Sequence, residues 1–234
     1  MSGAPTRPPV LLMEAARSTE DPEESAVLDL RLEAGELAVV RVADPARGAL
    51  CADLACGTAA AAGGRVLCLG QDWSRLPHDI ADALRGRIGR VFNEGGWVQH
   101  LSMADNILLP MLHHTRTPPE ELRERAASLA HAFGLPGLPL GRPGALPAAD
   151  RARAACVRAF LGEPVLLLLE DPLLEGRVPE LAAPLRDAIA AARARGAACL
   201  WMTASRGVWE DGSLPCSQRL VLTDLGLRAA WRQA

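Results

Sequence analysis

The stretch LPAADRARAACVRAFLGEPVLLLLEDP, Leu146 to Pro172, decides how the rest of the chain is read. Asp150 can cap a helix running to about Leu161, whose arginines and small residues leave one polar face. Val165 to Leu169 is then a fully apolar strand that ends in Glu170-Asp171-Pro172.

Working outward, the same alternation of helix and strand recurs. On the C-terminal side Leu181 to Arg195 reads as a helix, Cys199 to Thr203 as a strand and Arg219 to Thr223 as the last strand. On the N-terminal side Ile88 to Phe92 is a strand preceded by a helix over Asp79 to Arg87, and Gly64 to Leu69 is another strand. Pro118-Pro119-Glu120-Glu121 opens a helix with proline and acids in its first turn, and Gly134 stops it. Leu135 to Pro147 is a loop rich in Gly and Pro. Gly35-Glu36 opens Leu37 to Val42, an apolar run suited to a strand covered on both faces, and a helical stretch follows from about Gly48 to Cys56. Val10 to Met13 is apolar, Arg17 to Ser25 a polar turn, and Asp29 to Leu32 alternates as a half-buried antiparallel strand does. Strands alternating with helices predict an α/β fold with a mostly parallel sheet and an antiparallel edge.

The bulk properties fit one sizeable domain. The chain has 234 residues, 49 % of them apolar, and a formal net charge of -3. It has no basic stripe with interleaved aromatics, which excludes nucleic acid as an expected partner. Met1 to Pro9 lacks the apolar core of a signal peptide, and Val165 to Leu169 is too short to span a bilayer, so any membrane connection is expected to run through a partner. The cysteines at 51, 56, 68, 156, 199 and 216 form no Cys-x-x-Cys pair and read as reduced structural thiols of a cytoplasmic protein. All 25 basic residues are arginine; there is no lysine and no tyrosine, and no histidine follows His131.

From Gly35 onward the order of elements resembles an ABC transporter ATP-binding subunit. LRGRIGRVFNEGGWVQHLSMADNILLPM, Leu84 to Met111, is similar to the family's helix, strand, Q-loop and start of the helical subdomain. Leu146 to Pro172 is similar to its signature motif, signature helix and Walker B strand. LHHTRTPPEELRERA, Leu112 to Ala126, resembles the Mce/Mla-type lipid-transport branch, with lipoprotein-export ATPases close by. The resemblance implies a P-loop NTPase-like core over 10–92 and 163–234, a helical subdomain over 93–162 and a flexible terminus over 1–9.

The departures from the family pattern fall where its chemistry lies. A phosphate loop needs backbone amides, a lysine for the phosphates and a hydroxyl for magnesium. At that position stands Val42-Ala43-Asp44-Pro45-Ala46-Arg47-Gly48-Ala49, with Gly48 in place of the lysine and Ala49 in place of the hydroxyl. Pro45 has no amide hydrogen, Asp44 repels phosphate, and the planar fork of Arg47 does not replace an ammonium. No aromatic precedes Trp73 to stack adenine. The Q-loop glutamine is Asn93 and the signature is Leu146-Pro147-Ala148-Ala149-Asp150, where Asp150 reads as a helix cap. The Walker B acids are exchanged: Glu170 takes the magnesium position and Asp171 the catalytic-carboxylate position, a pair suited to capping nearby backbone. Ala204 takes the place of the switch histidine, and Leu173-Leu174-Glu175-Gly176-Arg177 does not match the D-loop. Adjacent His113 and His114 are expected to point apart at the surface rather than bind metal. The tryptophans at 73, 97, 201, 209 and 231 read as core or interface anchors, and Trp97 follows the Q-loop where the family's coupling groove receives its membrane subunit.

The expectation is therefore a catalytically degenerate ABC-type subunit with no catalytic residue and no cofactor. It would dimerise without ATP, with itself or a second ABC subunit, and dock through Asn93 and Trp97 under a permease, at the cytoplasmic face of a membrane and in lipid transport. An alternative is a working half of a heterodimer whose partner supplies the active site for ATP and magnesium. A third is a free-standing regulatory protein.

Overall fold

A computed structural model describes residues 7–19, 26–173 and 178–232, apart from the side chains of Trp231 and Arg232. The D-loop equivalent at 174–177 and most of the N-terminal stretch and acidic turn lie outside the described residues.

The strand sequences sort themselves into two sheets by how they are covered. β1 (Leu11–Ser18), β2 (Leu28–Leu32), β4 (Ala61–Cys68) and β5 (Gln71–Asp72) form an antiparallel sheet in the order β2-β1-β4-β5. β2 buries every second residue, as its alternation predicts. The second sheet takes the apolar runs β3 (Leu37–Val42), β6 (Ile88–Val91), β7 (Leu166–Glu170) and β8 (Ala198–Thr203), with β9 (Gln218–Thr223) and β10 (Gly226–Arg232), in the order β10-β9-β3-β8-β7-β6. Its neighbours are parallel except β10 on β9. β9 is thus not the last strand: the chain turns at Gly226 and adds one more, and β1 runs well past Met13.

Among the described residues seven α-helices connect these strands: α1 (Pro45–Ala55), α2 (His78–Arg85), α3 (Met103–His114), α4 (Pro119–Ala132), α5 (Ala148–Phe160), α6 (Ala182–Ala194) and α7 (Arg206–Glu210). They divide the apolar residues of the parallel sheet between two cores. Val40, Leu168 and Leu200 face α1 and the antiparallel sheet, while Val39, Leu167 and Trp201 face the core that holds α3 to α6. That division is why these strands carry no polar alternation. Residues of even number on β7 point toward α1, and Glu170 inherits that direction.

Among the described residues no helix is long and apolar enough to cross a membrane. All six cysteines are buried free thiols, and burial pushes those of Cys51, Cys68 and Cys156 up to about 12, which keeps them protonated and unreactive.

β6 lies so close to the end of α5 that a Cβ on Gly89 would meet the Ala159 carbonyl oxygen at 2.0 Å. Gly89→Ala is accordingly expected to cost about 1–3 kcal/mol, since backbone rather than a flexible side chain must move. Chemical denaturation would show it as a lowered midpoint, and an unchanged midpoint would mean that this close approach is not required.

Candidate functional site

β3 and α1 meet where a phosphate loop is expected, and the local sequence leaves no loop there. Only Ala43 and Asp44 separate Val42 from Pro45, which starts the helix, three residues earlier than the sequence predicts. Two signals bring the start forward: proline suits the first helical position, and the Asp44 carboxylate accepts the Ala46 amide at 3.0 Å. The Asp44 carbonyl then accepts the amides of Arg47 and Gly48 at 3.1 and 3.4 Å. The backbone donors that would surround a phosphate are therefore already hydrogen-bonded within the helix. Arg47 pairs with Asp224, and Gly48 and Ala49 lie in the first turns of α1.

The charge at this site comes from a residue that the sequence reading passed over. Arg90, on β6, reaches under α1 with its side chain only 9 % exposed. Its Nε donates to Glu170 Oε1 at 2.6 Å and its Nη1 to Asp53 Oδ1 at 2.6 Å. Its Nη2 donates to the carbonyl of Ala49 at 3.3 Å, the position that would carry the magnesium hydroxyl. Burial alone would pull the Arg90 guanidinium down, but hydrogen bonding to Asp53 and the charge of Glu170 outweigh it and hold it above its ordinary range. The Glu170 side chain, 5 % exposed, also accepts the Asn93 amide at 3.4 Å through Oε2.

Asp171 is turned the other way. It sits in the left-handed region at φ 44°, which an aspartate tolerates better than most residues, and donates its amide to the Met202 carbonyl at 2.8 Å. Its carboxylate accepts the Thr203 hydroxyl at 3.0 Å and the Ala204 amide at 3.3 Å. Both acids thus bind nearby backbone as expected, and Asp171 holds the end of β7 to the switch-histidine position. The structure brings Val42, Pro45, Gly48, Asn93, Glu170, Asp171 and Ala204 together around a space of ≈ 20 Å³, about enough for one water molecule.

A larger groove of ≈ 210 Å³ lies on the far side of the two acids, between the loop after β6 and the start of α5. Asn93, Trp97, Ala148 and Arg151 line it. Here one expectation is corrected: Asp150 is not the helix cap. Pro147 occupies that position without a side-chain cap, and Asp150, already in the first turn, pairs with Arg153 at 3.0 Å. The helix begins earlier than predicted because Pro147 accepts the amides of Asp150 and Arg151 through its carbonyl. The loop carrying Trp97 is held by buried Asn106, whose side chain accepts the Val98 amide at 2.8 Å and donates to the Val98 carbonyl at 3.0 Å. Beyond it, Phe92 lies between the guanidinium groups of Arg90 and Arg158, 4.3 and 5.2 Å from its ring centre, and Arg158 also stacks on Trp97 at 4.2 Å.

Of the other aromatics, Trp201 is fully buried, and Trp73 and Trp209 donate to the carbonyls of Ala55 and Leu220. His113 and His114 do not point apart; their rings meet edge to face at 4.7 Å. Among the described residues no cluster of His, Cys, Asp or Glu is arranged to hold a metal ion.

Magnesium and a nucleoside triphosphate, which the fold would otherwise imply, do not fit these residues. The cradle amides are engaged, no hydroxyl stands at Ala49, and the guanidinium of Arg90 already neutralises the acid at the metal position.

No family model matches the sequence. The chain is 30 % identical over 165 residues to the lipoprotein-releasing system ATP-binding protein LolD of Pseudomonas fluorescens, covering 68 % of this chain and 72 % of that protein. It is 31 % identical over 109 residues to the intermembrane phospholipid transport system ATP-binding protein MlaF of Haemophilus influenzae, covering 47 % of this chain and 41 % of that one. The chain spans less than half the length of several curated relatives it matches, 41, 42, 44 and 47 % of four of them. Its fold is that of a dimeric bacterial ABC transporter cassette, with a TM-score of 0.83 at 17 % identity over 96 % of this chain and 99 % of that one.

Arg90→Met is expected to destabilise the chain by about 3–5 kcal/mol, because it leaves a buried carboxylate without its partner. Arg90→Met with Glu170→Leu, which removes both charges, is expected to recover most of that loss in urea denaturation. A double variant as unstable as the single one would show that Glu170 is not what Arg90 compensates.

Proposed function

The chain belongs to the ABC transporter ATP-binding subunits, and on that premise we propose that it is a structural or regulatory subunit that neither binds nor hydrolyses ATP. The observation that carries this reading is the pairing of Arg90 with Glu170 beneath a helix whose first amides are already bonded. In this family two subunits pair so that each nucleotide lies between one phosphate loop and the opposite signature. Here the loop position is helical from Pro45, and the serine position of the signature is Pro147, which brings neither a hydroxyl nor an amide hydrogen. What remains is the shape: a parallel sheet, a group of helices, and an exposed face around Asn93 and Trp97 on which a permease can dock.

We assign the transport system to lipid or lipoprotein cargo because the relatives include MlaF and LolD, whose names give them phospholipid transport and lipoprotein release. The subunit would sit under its permease at the cytoplasmic face of the membrane, paired with a second ABC subunit, and its pairing would not depend on ATP.

Calorimetry of the purified chain with ATP and magnesium tests the central claim. No heat and no thermal shift are expected at millimolar ATP. A ligand held at a concentration 100 times its Kd would stabilise the fold by about 2.7 kcal/mol, an effect too large to miss. Saturable binding would overturn the proposal.

A further inference from the structure

The groove between the loop after β6 and α5 owes its room to small side chains. Ala148, Ala152 and Ala155 recur at the spacing that puts residues on one helix face, and all three line it. Its other wall is fixed from behind. Arg158 donates to the carbonyls of Gly95 at 2.5 Å and Gly96 at 3.0 Å and stacks on Trp97, while Asn106 ties down Val98. The ≈ 210 Å³ between these walls, room for about seven water molecules, is thus formed before any ligand arrives.

Two opposite charges line the groove, one on each wall. Arg151, on α5, is half-buried and donates to the Leu146 carbonyl at 2.5 Å, a neutral group that leaves its charge unmatched. Among the described residues no carboxylate is within ion-pair distance of it, whereas Arg153 has Asp150 and Arg90 has Asp53 and Glu170. On the facing wall Glu94 makes neither an ion pair nor a hydrogen bond among the described residues. Beside it, Asn93 uses its backbone amide on Glu170 and leaves its side-chain amide open to the groove. Polar groups that converge on an apolar groove without satisfying one another have the form of a ligand site. Because one is a cation and the other an anion, the ligand that satisfies both carries both signs.

We propose that this groove binds a small zwitterion with a hydrocarbon side group, a free apolar amino acid, its carboxylate on Arg151 and its ammonium on Glu94. The guanidinium N–H groups that Arg151 has left can meet a carboxylate, and the Asn93 side-chain oxygen can accept from the ammonium as Glu94 does. Trp97 and the three alanines cover the hydrocarbon. A ligand with a single charge would leave the opposite wall unpaired, which gives the groove its discrimination. Binding here needs neither nucleotide nor permease, so it stands apart from the reading of the chain as a subunit that does not bind ATP.

Leucine and phenylalanine, titrated separately into the full chain by calorimetry up to about 10 mM, test this. Saturable binding of at least one is expected. Glu94→Gln should weaken it about tenfold or more, and so should Ala148→Leu, which fills the groove; both residues are exposed, so neither change threatens the fold. Arg151→Gln should weaken it as much. Because that change also releases the Leu146 carbonyl, its thermal midpoint is measured alongside, and Arg151→Lys, which keeps the charge, should restore most of the binding. Isocaproate and isoamylamine, which are leucine without its ammonium and without its carboxylate, should each bind about tenfold or more weakly. No saturable heat with either amino acid overturns the proposal. So does an affinity that Glu94→Gln and Ala148→Leu leave unmoved, which places the ligand elsewhere, and so does isocaproate binding as tightly as leucine. Heat in the separate titration with ATP would overturn the reading of the chain as a subunit without nucleotide and would leave the leucine result to decide this site.

Discussion

Everything at the candidate site depends on one buried arginine. Arg90 bonds at once to Glu170 at the end of β7, to Asp53 on α1 and to the carbonyl of Ala49 on the same helix, so one side chain holds β7 and α1 to β6 beside the phosphate-loop position. Two ionised groups so far from water are costly unless each has its partners, and here each carboxylate oxygen of Glu170 has a donor. A magnesium ion with its nucleotide could hold such acids only while it stayed bound. A guanidinium on β6 is attached by its own backbone.

The packing of the scaffold is largely separate from this arrangement. The two hydrophobic cores lie on opposite faces of the parallel sheet, and of the positions that depart from the family pattern they take in Val42 and Leu173. The departures sit at or just past the ends of β3, β6, β7 and β8 and at the starts of α1 and α5. Three of the acids at these positions make local bonds: Asp44 with Ala46, Asp171 with Thr203 and Ala204, Asp150 with Arg153.

Most of the fold was legible in the sequence, because apolar runs such as Leu166 to Leu169 and the alternation of Asp29 to Leu32 report directly on how a strand is covered. The helix starts were less so. Asp44 and Asp150 are both good capping residues by type, yet one caps and the other lies a turn inside, because Pro147 had already set the start of α5. Arg90 was missed since a single charge in a short strand looks like a surface position. The signal was present all the same. Arg90 and Glu170 lie on neighbouring parallel strands that each read as apolar, and the register opposite Leu168 sends both toward α1. Arg158 left no such trace, because its partners are two carbonyls and two rings brought together only by the tertiary fold.

The early start of α1 also limits what substitutions at the phosphate-loop position could do by themselves. Lysine at position 48 and serine at position 49 would restore two side chains but not the curve of backbone that gives them their use. The amides of Ala46, Arg47 and Gly48 would still point into a helix. Recovery would require Asp44, Pro45 and Arg90 to change together, each intermediate losing a cap or exposing a buried acid to no partner.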